Sequence, residues 1–238
     1  GVILAILAGF LFVSSDTVVT LARQDLPVAM VVWGRFTAHF LLMLFLFPGR
    51  KINKLFKVNN FKLVIFRGIL LLLCTCLFFT AIGYIGLAEA NSIMFISPFF
   101  VVALSIPLLK EKVGIRRWSA VIIGFIGIVI ILRPGFQEIH WAYFLIIGVA
   151  FFFALFTILT RTLSFTETAI SMWFYTALVG MVGSSAIVWY YWQTPTLSQS
   201  LMLLFIGAIG GGSHYIVIKA YQSCLLYTSD AADEKRWG

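Results

Sequence analysis

Few side chains in this sequence can do chemistry, and those that can stand isolated in apolar runs. Asp16 lies in "LFVSSDTVVTLA", Arg35 and His39 in "GRFTAHF", Glu89 and Asn91 in "LAEANS", and His214 in "GAIGGGSHY". An ionisable group within a bilayer is costly unless it faces a partner or a cavity. Counted from the nearest helix ends, Asp16 and Arg35 sit roughly 9 and 12 Å deep on consecutive antiparallel helices. They can therefore pair, either to pin two helices together or to meet a charged solute. His39 is one turn from Arg35 and shares its face. Histidine titrates near neutral pH, so His39 is either a hydrogen-bonded packing residue or a proton relay. Glu89 and Asn91 open a helix, where a carboxylate favours the positive end of the dipole; they cap that helix or meet a cation at a cavity mouth. Pro98 removes a helical N–H and frees a carbonyl near Met94, which in a membrane needs another partner. That is a packing kink or a helix broken at a binding site. His214 follows Gly207, Gly210, Gly211 and Gly212, small residues that permit close helix packing. Asp16, Arg35, His39, Glu89, Asn91, Met94, Pro98 and His214 are the candidate binding residues. Arg67 and Lys219, nearer helix ends, can snorkel to the interface.

The same inventory weighs against an enzyme. It offers no nucleophile–base pair and no HExxH, and the three scattered histidines do not space as zinc ligands. Without a phosphate-binding loop it does not read as a nucleotide-driven pump. Neither cofactor nor metal is expected. A membrane-embedded lipid-modifying enzyme and a non-transporting receptor or scaffold stand as the alternative readings. Cys74 and Cys76 share one apolar run two residues apart and cannot pair there.

What must position these groups is a set of membrane helices. Hydrophobic residues make up 61% of the 238 and charged ones 11%, against ~25% charged in soluble domains. The chain reads as an all-α polytopic membrane protein with spans at 1–22, 27–47, 63–85, 88–109, 117–133, 141–163, 167–192 and 201–222. The net charge of +8 comes mainly from two short loops, "PGRKINKLFKVNNFK" and "KEKVGIRRW", and points to topology rather than to nucleic acid. Arg23 and Arg133 stand in the sparser loops. By the positive-inside rule the N-terminus is inside. Trp141, Tyr143 and "WYYW" at 189–192 then fall at the outer interface and Trp118 at the inner one.

The chain also repeats itself. At a shift of 140 residues Trp33 meets Trp173, Thr17 meets Thr157, Thr20 meets Thr160 and Phe12 meets Phe152. One residue less aligns Phe66 with Phe205, Gly68 with Gly207 and Ala81 with Ala220, and sets Thr75 opposite His214. A unit of that length holds five helices, an odd number, so the second copy enters the membrane inverted. Inverted repeats place a transporter's site near mid-membrane, between the copies. The units are 1–135, a complete five-helix repeat, and 141–223, which holds three of five helices, so that ten helices are expected in all. Residues 224–238, "CLLYTSDAADEKRWG", read as the in-frame translation of a sequencing adapter and are expected to be non-native.

The stretch "FFTAIGYIGLAEANSIMFISPFFVVALSIPLLKEKVGIRRWSAVIIGFIGIVIILRPG" resembles the drug/metabolite transporter superfamily, EamA type, through Ala81 and Tyr84 before Leu87-Ala88, Pro98, "KEKVG" at 110–114, Gly124, Gly127 and Arg133-Pro134. Gly86 stands where such sequences often carry Pro, which predicts a different turn there. The resemblance covers residues 1–223 and implies ten helices, both termini inside, and movement of small metabolites by alternating access. Aromatic helices with few charges suit an amphiphilic solute such as an amino acid, a nucleoside-like compound or a vitamin. The partners expected are that solute and the lipid bilayer. A coupling ion (proton or sodium) and a homo-oligomer are left open.

Overall fold

Apolar runs of this length have nowhere to place their backbone N–H and C=O groups in lipid except within themselves. In a computed structural model they do so as helices. The structure describes residues 2–46, 55–110, 114–132 and 140–234, with side chains for all of these except 2, 116, 117, 120, 128–132 and 224–234. Among the described residues the helices are α1 (Val2–Asp25), α2 (Val28–Leu46), α3 (Phe61–Ile85), α4 (Leu87–Met94), α5 (Ser97–Leu109), α6 (Ile115–Leu132), α7 (Ala142–Leu163), α8 (Ala169–Val188) and α9 (Leu197–Glu234). The chain is thus an all-α polytopic membrane protein, with seven described stretches long and apolar enough to cross a bilayer. The expected span at 117–133 falls on α6, part of whose side chains, together with Arg133, lie outside the described residues. So do Arg50, Lys51, Lys54 and Lys112 of the basic loops. α9 continues past Ser223 as one helix; the expectation about 224–238 concerns side chains outside the described residues.

Local sequence sets the breaks. Pro27 disfavours helix at the residue before it, so α1 stops at Asp25 and Leu26-Pro27 makes the whole turn into α2. Arg23, expected in that connection, is instead in the last turn of α1, and its Nε donates to the Phe79 carbonyl at 3.1 Å. Gly86 separates α3 from α4 with φ 79°, a value closed to proline, whose ring holds φ near about −65°. The fourth span is interrupted at Phe95 and Ile96, and Pro98 sits in the first turn of α5, where its missing N–H costs nothing.

Packing follows small residues. α1 lies along α9 and α3 along α7, while α2 packs on both α8 and α9, and α3 also meets α8. At Gly207 a Cβ would stand 2.6 Å from the Arg35 carbonyl oxygen on α2. At Gly68 it would stand 2.9 Å from Val179 on α8. One core cluster gathers Val19, Met30, Phe36, Phe79, Ile146 and Phe156; a second holds Met43, Val64, Leu163, Met172 and Trp173. Ile3, Phe10, Phe45, Phe144 and Val182 point outward, as a lipid-facing surface requires.

The two ends of the bundle are tied differently. At the end carrying Lys57 and Lys62, here called the basic end, the Glu167 carboxylate accepts from the backbone N–H of Asn59 at 3.0 Å and of Asn60 at 2.7 Å. It thereby caps α3 from across the bundle, where Asn60 makes no side-chain cap of its own. Ser171 Oγ donates to the Lys57 carbonyl at 2.9 Å and Tyr175 to that of Phe56 at 3.3 Å. At the opposite, aromatic end, Trp33 donates to Ser185 Oγ at 3.1 Å and meets Trp192 edge to face.

Candidate functional site

The bundle centre is where apolar helices must settle their few charges. Arg35 of α2 places Nη1 4.0 Å from Asp16 Oδ1 of α1, so the pair expected from their depths forms. Its Nη2 lies 3.2 Å from His214 Nε2 of α9. Arginine only donates, so His214 Nε2 carries the lone pair and the ring is neutral, with its proton on Nδ1. The guanidinium also lies 5.2 Å from the Phe79 ring centroid. Gly210 makes room for this arrangement, since a Cβ there would stand 3.1 Å from Ser15 Oγ and 3.4 Å from Arg35 Cζ.

From His214 the contacts continue across the bundle. Its ring is edge-on to Phe12 at 4.8 Å and to Phe156 at 5.9 Å. Arg67 of α3 stacks on Phe156 with Cζ 4.4 Å from the ring centroid. Its Nε donates to Thr160 Oγ1 at 2.7 Å, and its Nη1 to Thr176 Oγ1 at 2.7 Å and the Met172 carbonyl at 3.3 Å. Arg67 is 1% exposed and does not snorkel. The hydroxyls of α7 and α8 satisfy it inside the bundle, so it has no need to reach the interface. Lys219 lies 5.9 Å from the Tyr215 ring centroid.

A cavity of about 200 Å³ opens beside Arg35, lined by Asp16, Thr75, Asn91, Met94 and His214 and by the rings of Phe12, Phe78, Phe79 and Phe153. Five of the eight candidates (Asp16, Arg35, Asn91, Met94, His214) therefore converge, from α1, α2, α4 and α9. Thr75 and His214, matched by the internal repeat, face the same space. Toward the basic end a second cavity of about 430 Å³ shares Phe12, Phe153 and His214 and adds Phe156, Thr157 and Thr160. Pro98 joins Asn91 and Met94 on a third, lined also by Val101, Val102 and Thr157.

Two candidates lie elsewhere. His39 packs against Trp173, ring centroids 5.1 Å apart, and against α9, where a Cβ at Gly211 would come within 2.6 Å of its ring. Its Nε2 has no hydrogen-bond partner among the described residues. Glu89 accepts from the Tyr143 hydroxyl at the aromatic end, tying α4 to α7. Sequence reasoning did not single out Phe12, Phe79, Phe156 or Thr160 as part of this centre. One phenylalanine of 24 carries no signal of its own; Thr160 could have been suspected from its repeat match to Thr20. Glu167 was missed because its partners lie 107 and 108 residues away.

The EamA-like transporter family matches residues 1–133. The S-adenosylmethionine uptake transporter of Rickettsia bellii is 31% identical over 157 residues, 66% of this chain and 54% of that protein. The riboflavin transporter of Vibrio cholerae is 27% identical over 93% of this chain and 76% of its own length. The pseudopaline exporter of Pseudomonas aeruginosa is 28% identical over 88% and 74%. The chain spans about half the length of the S-adenosylmethionine transporters that it matches.

Proposed function

Because the chain belongs to the EamA-like transporter family, we propose that it carries a small organic metabolite across the membrane, with the solute held at the Asp16–Arg35–His214 centre. It is an integral, multi-pass membrane protein, and its bacterial relatives imply the inner membrane. The single observation behind the site is the convergence of a buried ion pair and a neutral histidine on a cavity between helices of both halves. Broken helices and midplane cavities between repeats are where secondary transporters bind.

Alternating access is the mechanism we infer. If α1, α2 and α3 are repeated as α7, α8 and α9, a pseudo-two-fold exchanges α1 on α9 with α7 on α3, and α2 on α9 with α8 on α3. All four pairings occur in the fold, and the Gly68–Val179 and Gly207–His39 contacts exchange in the same way. That supports two inverted units rocking about a shared centre, with the basic end facing the cytoplasm. The solutes to try first are those named for the relatives, S-adenosylmethionine, riboflavin and pseudopaline, with an amino-acid panel beside them. The test is uptake and efflux of labelled solute by cells carrying the gene, against Asp16→Asn and Arg35→Gln variants. Flux above vector control that both variants lower is the expected result. No flux across the panel, together with hydrolytic or transferase activity on lipid, would overturn the reading.

A further inference from the structure

The charges of the described interior do not balance. Four acids have described side chains: Asp16 is beside Arg35, Glu89 takes the Tyr143 hydroxyl, Glu167 caps α3, and Asp25 ends α1. That leaves Arg67, 1% exposed, with two threonine hydroxyls, one carbonyl and a phenyl ring. No carboxylate lies within ion-pair distance among the described residues, and Nη2 makes no hydrogen bond among them. A buried charge without a counter-charge is expensive, and Arg67 cannot shed its proton as a lysine would.

Position says what could balance it. Arg67 is six residues into α3 and Arg35 seven into α2, about 9 and 10 Å from opposite ends of the bundle at 1.5 Å per residue. Between them run His214 and Phe156, both on the cavity that extends toward the basic end. Thr160, which accepts from Arg67 Nε, lines the same cavity. Arg67 stands behind Thr160 and the Phe156 ring, and the remaining wall is Phe12, Phe153, Tyr221 and small side chains. We propose that this cavity is an anion subsite: the solute bears a carboxylate or similar oxyanion on an apolar body, and that group supplies the missing counter-charge to Arg67. The proposal rests on the transporter reading and narrows its substrate class. Arg67 is then a specificity-determining residue as well as a tie between α3, α7 and α8.

The test uses the whole chain purified in detergent, with thermal unfolding followed by tryptophan fluorescence. The probes are phenylacetate and phenylacetamide, which share ring and shape and differ in charge. Phenylacetate is expected to raise the melting temperature and to bind about ten-fold more tightly than the amide. Arg67→Gln should erase that preference and Arg67→Lys should keep most of it. Thr160→Val with Thr176→Val, which removes neutral partners and keeps the charge, should retain it. Equal effects of the two probes, no effect of either, or a preference that survives in Arg67→Gln would each overturn the proposal. If Arg67→Gln does not fold, the comparison of the two probes on the unaltered chain decides. Flux in cells that favours no anionic solute sinks this inference and leaves the transporter standing. Carboxylate binding without any flux sinks the transporter reading instead.

Discussion

Replacing Gly207 by alanine adds one methyl group where α9 meets the backbone of α2. The new Cβ would stand 2.6 Å from the Arg35 carbonyl oxygen and closer still to the Ala38 Cβ, against 3.4 Å where ordinary contact begins, so the two helices must part by about 1 Å. No flexible side chain can absorb this, because the obstructing atoms are backbone of Arg35 and His39 and the Cβ of Ala38. Overpacking of this kind costs about 1–3 kcal/mol, while alanine returns up to about 1 kcal/mol of helix propensity. The net expectation is a loss of about 1–2 kcal/mol. Gly212 is the control. It has open space at its Cβ position, so Gly212→Ala should be neutral or gain a few tenths of a kcal/mol.

The same displacement reaches the site. Arg35 is the residue displaced, and its Nη2 bond to His214 at 3.2 Å would stretch beyond hydrogen-bond range. Solute flux per folded molecule should therefore fall further in Gly207→Ala than stability does. Reversible unfolding in mixed detergent gives the first quantity, and uptake normalised to folded protein gives the second. A Gly207→Ala protein as stable and as active as Gly212→Ala would refute the packing argument, and with it the claim that α2 is held by contact with α9.

Three further outcomes are expected. In a double-mutant cycle of Asp16→Asn and Arg35→Gln, the pair should couple by about 1–3 kcal/mol; a 4.0 Å separation at an effective dielectric of 20 gives about 4 kcal/mol, reduced by the cavity beside it. Coupling near zero would mean that the two groups serve only the solute. Glu167→Gln removes the charge and one acceptor from the cap on α3 and should cost about 1–2 kcal/mol in unfolding experiments, with no change if water replaces the cap. His39→Phe deletes a buried nitrogen that has no hydrogen-bond partner among the described residues and should leave stability equal or up to about 1 kcal/mol higher. Flux that survives in that variant marks His39 as packing, whereas loss of flux at unchanged stability would restore it as a proton relay.

What could be read from the letters was whatever depends on length and depth. Uninterrupted apolar runs predicted where the helices lie, although 88–109 is broken into α4 and α5 and α9 runs on past 222; Gly86 marked a turn, and counting from helix ends put Asp16 and Arg35 at similar depth, where the structure pairs them. The repeat matched Thr75 with His214, which share a cavity. What stayed hidden depends on rotation about each helix axis. His39 shares a face with Arg35 by periodicity, yet the Arg35 guanidinium turns into the space that Gly210 leaves, while one turn further the His39 ring meets Gly211 and Trp173 and stops there. Arg67 shows the same limit from the other side. At about 9 Å from a helix end a long cation can reach water, and nothing in "FRGILLL" says that it will not. The decision is made by Thr160 and Thr176, 93 and 109 residues on, which offer a dry arginine enough acceptors to stay inside. Once it stays, its charge has to be met. Among the described residues only neutral groups meet it, and this turns a structural tie between three helices into an argument about the solute.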